Sequence, residues 1–271
     1  MPSYAPVTAL LRGIAVLEAV AAQGGATIKG LHATTGYPKA TLVRLLETLI
    51  HAGYVRAVGE DRPTYALTAR ALGLSGGFDE GRYLVAAVGP ALAEFQAAIP
   101  WPSDLGVFDR DAMVILETSR RPGMLSVSRQ VGSRVPAATT ALGRAYLAFL
   151  PDDDRRDLLA ALRRSTGEPK DIKRFESLLA AVRDRGYATS DQENRPDIRA
   201  LAAPVMDGGR VVASVNIIVV AEAMAMAEME RRYAAPLRTA TNKMSAVLAS
   251  TRDPAFTIRS SLRPRRKSER A

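Results

Sequence analysis

The spacing of apolar residues marks out two regions of the chain. Between Thr8 and Ala22, the residues Leu10, Leu11, Ile14, Leu17 and Val20 recur at three- and four-residue intervals, one face of an amphipathic helix. Thr8 is placed to cap its start and Gly24-Gly25 to stop it. Thr27 opens a short helix over 28–35 that Gly36 ends. A third helix is predicted from about Pro38 to Ala52, with Leu42, Leu45, Leu46 and Leu49 as its inward stripe. Pro38 suits a first turn, where a missing N–H costs nothing. The pattern then turns β-like, with strands at 54–58 and 64–67 around the turn Gly59-Glu60-Asp61-Arg62-Pro63. Thr68 is placed to cap a further helix ending near Gly76-Gly77. Helix, helix, glycine turn, helix and hairpin is the order of a winged helix-turn-helix.

Residues 80–98 read as a longer helix with Leu84, Val88, Leu92 and Phe95 on one side, ended by Ile99-Pro100-Trp101-Pro102. Alternation takes over afterwards. Strands are predicted at 103–108, 112–118, 124–129, 187–190, 199–206 and 210–220. Helices are predicted at 140–150, 152–163, about 172–185 and about 223–250. Strands beside segregated helices give an α+β fold on a mostly antiparallel sheet. The expected division is a winged helix-turn-helix DNA-binding domain over 1–77, a linker helix over 78–100 and a second domain over 101–251. A basic tail over 252–271 is read as disordered.

Charge sharpens this picture. The 271 residues carry a formal net charge of +9, and the excess sits at the ends. Residues 1–77 are net +3, residues 252–271 net +5, and the stretch between them only +1. A basic balance points to a polyanionic partner. The predicted third helix has the composition to read one, because its N-terminal end favours anions. Pro38, Lys39, Ala40 and Thr41 occupy that end, and Arg44 lies one turn on. Lys39 suits a phosphate, Thr41 a phosphate or base, and Arg44 a guanine edge. Arg62 at the wing tip is placed for a neighbouring phosphate or the minor groove. The expected partner is double-stranded DNA.

Other chemistry is thinly represented. The sequence has no cysteine, which excludes disulfides, thiolate metal sites and cysteine nucleophiles. His32 and His51 are its only histidines, leaving little room for a Ser-His-Asp triad. Asp152-Asp153-Asp154 follows Pro151 and opens a helix, where carboxylates stabilise the positive end rather than bind metal. No nucleotide loop or metalloprotease motif is present. No enzyme activity, cofactor or metal is expected. With no 18-residue apolar run and no signal-like start, the expected location is the cytoplasm.

The stretches 11–18, Gly36-Tyr37-Pro38-Lys39-Ala40-Thr41-Leu42-Val43-Arg44-Leu45-Leu46-Glu47-Thr48-Leu49 and Gly53-Tyr54-Val55 together resemble the IclR family of bacterial transcription regulators. Later segments agree with it in order: Val131-Gly132-Ser133-Arg134-Val135-Pro136, then 140–149, Gly186-Tyr187 and Ala202-Ala203-Pro204-Val205. Arg144 stands where the family usually has lysine. The resemblance implies a C-terminal GAF-like effector-binding domain and an oligomer, a homodimer or homotetramer. A narrower resemblance, carried by Trp101-Pro102-Ser103-Asp104, 111–114, Glu117-Thr118 and Leu125-Ser126, is to the branch that includes the activator of hydroxyphenylpropionate degradation. It implies an aromatic carboxylic acid as effector.

Carried over from the family, the effector positions are Ala141 and Leu142, Ser190, Ala200, and Asn216 with Ile218. This set is more apolar than that of members binding small oxoacids, and it suits a ring. A carboxylate needs a counter-charge. Arg129, Arg134 and Arg199 are the nearest arginines, with Arg129 the first choice. The helix start at Thr139-Thr140 offers N–H groups and hydroxyls as a second solution. The leading reading is an effector-responsive DNA-binding regulator of aromatic-acid breakdown. The alternatives are an enzyme with an accessory winged-helix domain and a non-specific DNA-binding protein.

Overall fold

A computed structural model describes residues 4–59, 63–75, 79–119 and 130–251. Arg62, Arg129, the strand expected at 124–129 and the basic tail at 252–271 lie outside the described residues. The chain divides into two compact units, Met1–Asp79 and Glu80–Ala271.

The first unit holds α1 (Thr8–Gln23), α2 (Ile28–Thr35) and α3 (Lys39–His51), followed by the hairpin β1 (Val55–Val58) and β2 (Thr64–Leu67). This is the expected winged helix-turn-helix. Thr27 caps α2 by accepting from the Gly30 N–H, and Gly36 ends it at φ 70°, a left-handed conformation that suits glycine. Val16, Val20, Leu31, Leu42, Leu46 and Val55 are buried together, each leucine worth about 2 kcal/mol.

Two local expectations fail here. Thr8 does not cap α1; Val7 takes that position with no side-chain hydrogen bond. The segment after Thr68 is a 3-10 turn, Ala69–Ser75, rather than an α-helix. The first-helix stripe is also only half inward. Val16, Ala19 and Val20 are buried, whereas Leu10, Leu11 and Ile14 are 62%, 55% and 46% exposed.

The second unit begins with α4 (Asp79–Ala98), whose Leu84, Val88, Leu92 and Phe95 are buried as the spacing predicts. Then come β3 (Asp104–Asp109), β4 (Ala112–Thr118), β5 (Arg134–Pro136), α5 (Ala141–Ala148), α6 (Asp152–Thr166) and α7 (Ile172–Arg185). The chain closes with β6 (Ala188–Asp191), β7 (Ile198–Asp207), β8 (Arg210–Val220) and α8 (Met226–Ser250). The six strands form one antiparallel sheet in the order β5-β4-β3-β8-β7-β6.

Strand alternation assigns the two faces of this sheet. On β8, Ala213, Val215, Ile217 and Val219 point into a core shared with α4 and α8. The intervening Ser214, Asn216 and Ile218 point to the other face, where α5 lies over the sheet within a core completed by α6 and α7. All eight residues of α5 are buried. Its alanines and Gly143 make so close an approach possible. Among the described residues, no helix is long and apolar enough to cross a membrane.

Candidate DNA interface and effector cavity

Burial of Leu42 and Leu46 fixes which side of α3 faces outward. On a 3.6-residue period, Ala40, Arg44 and Glu47 lie opposite the leucines. Lys39 and Arg44 are exposed, as expected of DNA contacts, and Thr41 is half-buried on the flank. Pro38 precedes the first helical residue at φ −55°. The turn before α3 is held by His32, whose Nδ1 lies 2.8 Å from the Tyr37 carbonyl oxygen, and Arg12 stacks on the Tyr37 ring at 5.5 Å. Neither contact is visible in residue spacing. An open groove of about 1020 Å³ runs between α1 and α3, lined by Leu10, Ile14, Leu17, Thr41 and Arg44 among others, with Leu74 at its edge.

In the second unit, the structure brings together seven of the eight expected effector positions. Thr140, Ala141 and Leu142 at the start of α5 face Ser190 on β6, Ala200 on β7, and Asn216 and Ile218 on β8, around one cavity. The register explains the clustering: Ser190 pairs with Ala200, and Ala200 pairs with Ile218. Three further lining residues, Asn194, Arg195 and Ile198, come from the β6–β7 connection and the start of β7, and spacing gave no sign of them. The cavity measures about 20 Å³, room for one water, whereas ligand pockets run to about 300–1,000 Å³. It is closed.

Most of its polar groups bond within the protein. Thr140 caps α5, accepting from Gly143 N–H at 3.2 Å and donating to the Pro136 carbonyl at 2.6 Å. Ser190 donates to the Thr139 carbonyl at 2.9 Å. Asn216 accepts from the Asp104 N–H at 2.7 Å and donates to the Asp104 carboxylate at 3.2 Å, and Thr118 donates to the same carboxylate at 2.7 Å. Ser214 continues the Asn216 face one step further along β8; its hydroxyl is fully buried and has no hydrogen-bond partner among the described residues.

The arginines divide sharply. Arg134 donates to Asp109 and Asp111, away from the cavity, and those bonds raise its pKa although burial opposes them. Arg199 donates to Asp191, Gln192 and the carbonyls of Ala221 and Met224. Arg144, 6% exposed, donates to the carbonyls of Ala138 and Thr189 and to both oxygens of Glu193. Among the described residues that line the cavity, Arg195 is the only ionisable one.

Residues 81–246 match the C-terminal domain of the bacterial transcriptional regulator IclR, and residues 9–59 match the IclR helix-turn-helix domain. The chain belongs to the IclR family. It is a DNA-binding transcriptional regulator and not an enzyme. The Pca regulon regulatory protein of Pseudomonas putida is 28% identical to it over 233 residues, 84% of this chain and 79% of the relative. An IclR-family regulator from Brucella abortus superposes with a TM-score of 0.60 at 26% identity, covering 89% of this chain and 92% of the other. An IclR homologue from Microbacterium hydrocarbonoxydans, complexed with 4-hydroxybenzoate, superposes at 0.65 with 20% identity, covering 90% and 100%. At that identity the likeness shows the fold. For an IclR regulator, operator DNA and a small-molecule effector are the typical partners.

Proposed function

We propose that this IclR regulator controls an operon for the breakdown of small aromatic carboxylic acids, binding its operator as a homodimer or homotetramer. The apolar wall of the cavity carries the reading. Leu142, Ile198, Ala200 and Ile218 offer a ring little but hydrocarbon, while Thr140, Ser190 and Asn216 already have partners. The narrower resemblance around Trp101-Pro102-Ser103-Asp104 supports the same class and points to the hydroxyphenylpropionate branch. Deeper on the Asn216 face, the Ser214 hydroxyl is the group to meet a ring hydroxyl.

At about 20 Å³ the cavity is smaller than an aromatic acid, so binding requires it to widen, and the cost of widening lowers the apparent affinity. The 4-hydroxybenzoate bound by the Microbacterium homologue names the first probe. Calorimetry on the full chain is expected to show 4-hydroxybenzoate binding. Ile218→Asp, which sets a carboxylate on the ring-facing wall, is expected to abolish that binding and leave operator binding intact. Micromolar binding of pyruvate or glyoxylate, with none of aromatic acids, would sink the aromatic reading.

On the DNA side, Arg44 reads a base edge and Lys39, Thr41 and Arg62 position the helix. Arg44→Ala is expected to cost about 1–3 kcal/mol at the operator and much less on random DNA, checked by competition mobility shifts. Equal losses on both would make Arg44 a phosphate contact. One recognition helix reads few base pairs, so paired half-sites imply paired chains. The exposed Leu10, Leu11 and Ile14 on α1 are the surface for that pairing.

A further inference from the structure

We infer that Arg195 is the anchor for the effector's carboxylate, a role it takes by exchanging its present partner, Asp197, for the ligand. The inference rests on the reading of this cavity as the effector site.

Its placement makes the case. The 192–197 segment joining β6 to β7 is held firmly around Arg195. Gln192 adopts φ 60° and donates through its side chain to the Pro196 carbonyl at 2.6 Å. Its N–H donates to the Ile198 carbonyl, and the Ile198 N–H donates to the Arg195 carbonyl at 3.3 Å. Glu193 is gripped from α5 by Arg144. The backbone of Arg195 is thus held beside the cavity.

That side chain is 42% exposed, and its guanidinium donates to both Asp197 oxygens, at 3.0 and 2.8 Å. Asp197 is itself 43% exposed. An ion pair so open to water is weakly held. A ligand carboxylate offers the same two-oxygen fork in a less hydrated setting, where such a contact is stronger. Asp197, once released, is solvated where it stands. Among the described arginines, Arg144 and Arg199 are committed to carboxylates and to backbone carbonyls that hold the fold.

The test is calorimetry on the full chain with three probes: 4-hydroxybenzoate, its uncharged amide 4-hydroxybenzamide, and pyruvate. The acid is expected to bind at least about tenfold more tightly than the amide. Arg195→Gln is expected to erase that difference, and Asp197→Asn, which removes the competing carboxylate, to tighten the acid. Arg195→Lys keeps the charge without the fork and is expected to fall between. Arg164→Gln, an exposed position on α6, is the matched control. Thermal melts establish that each variant is folded.

Acid binding that survives Arg195→Gln, or equal binding of acid and amide to the unaltered protein, overturns the assignment. So does failure of every probe to bind. Pyruvate binding that depends on Arg195, with none of 4-hydroxybenzoate, upholds the anchor and overturns the aromatic-acid reading instead.

Discussion

Gly143→Ala is expected to destabilise the effector domain by about 3 kcal/mol or more, among the largest effects a single added methyl produces. A Cβ at this position would stand 2.1 Å from the Ala137 carbonyl oxygen, and 2.4 and 2.6 Å from that residue's Cα and C. These are backbone atoms. They cannot yield without moving the 136–140 segment, which carries the Thr140 cap. Helix propensity favours alanine by about 1 kcal/mol, so the steric term wins. Gly106 is a useful contrast, because the nearest atom to its added Cβ is the Leu142 Cδ2 at 2.6 Å, the end of a side chain that can turn. Trp101 is the chain's single tryptophan and lies in this domain, bonded to the Tyr233 hydroxyl. Its fluorescence during urea unfolding reads the effect as a lower midpoint. An unchanged midpoint would mean the α5–Ala137 contact is looser than the geometry shows.

Replacing Arg144 with methionine is expected to cost about 2–3 kcal/mol and to alter the acid limb of stability. The guanidinium satisfies two carbonyls and a carboxylate at once. Methionine fills the volume and leaves the carbonyls without donors, while Glu193, 45% exposed, rehydrates. The hydrogen bond from Arg144 holds the Glu193 carboxyl below its ordinary pKa, outweighing the upward push of burial. A carboxyl lowered on folding stabilises the native state above its unfolded pKa, about 4.3, and that contribution is lost as pH falls through the folded value. The unaltered protein should therefore lose stability as pH falls from about 5 towards 3, and Arg144→Met should lose less over the same window. Parallel acid profiles for the two proteins would show that Glu193 draws nothing from the contact. Arg144→Lys keeps a charge but not the fork, and its loss should be smaller.

The DNA-binding unit was largely legible because its signals are local. Thr27, Gly36 and the leucines of α3 act within a turn or two of themselves. Spacing did not reveal that half of the α1 stripe faces water, because periodicity identifies an apolar face without saying what covers it. β5 escaped notice for another reason: three residues ending in proline carry almost no strand signal, and such a segment is tolerated only at a sheet edge, where it sits. In the cavity, the helix-start and strand positions were available from the family pattern. Arg195, Asn194 and Ile198 were not, since a connecting segment brings them there, fastened by a contact between Arg144 and Glu193. The amide of Asn216, expected to face a ligand, is turned to Asp104, a partner 112 positions away that no local pattern announces.

β8 has a consequence for how such a regulator diversifies. Asn216 and Ile218 line the cavity and Ser214 shares their face, whereas Val215, Ile217 and Val219 are core beneath α4 and α8. On the reading of this cavity as the effector site, changes of ligand preference and changes of scaffold fall largely on alternate letters of one short word, with Asn216, bonded to Asp104, serving both. On that reading a lineage can exchange Ile218 for a new nutrient while Val215, Ile217 and Val219 keep the domain folded. Duplicated copies are free to part in diet before they part in architecture.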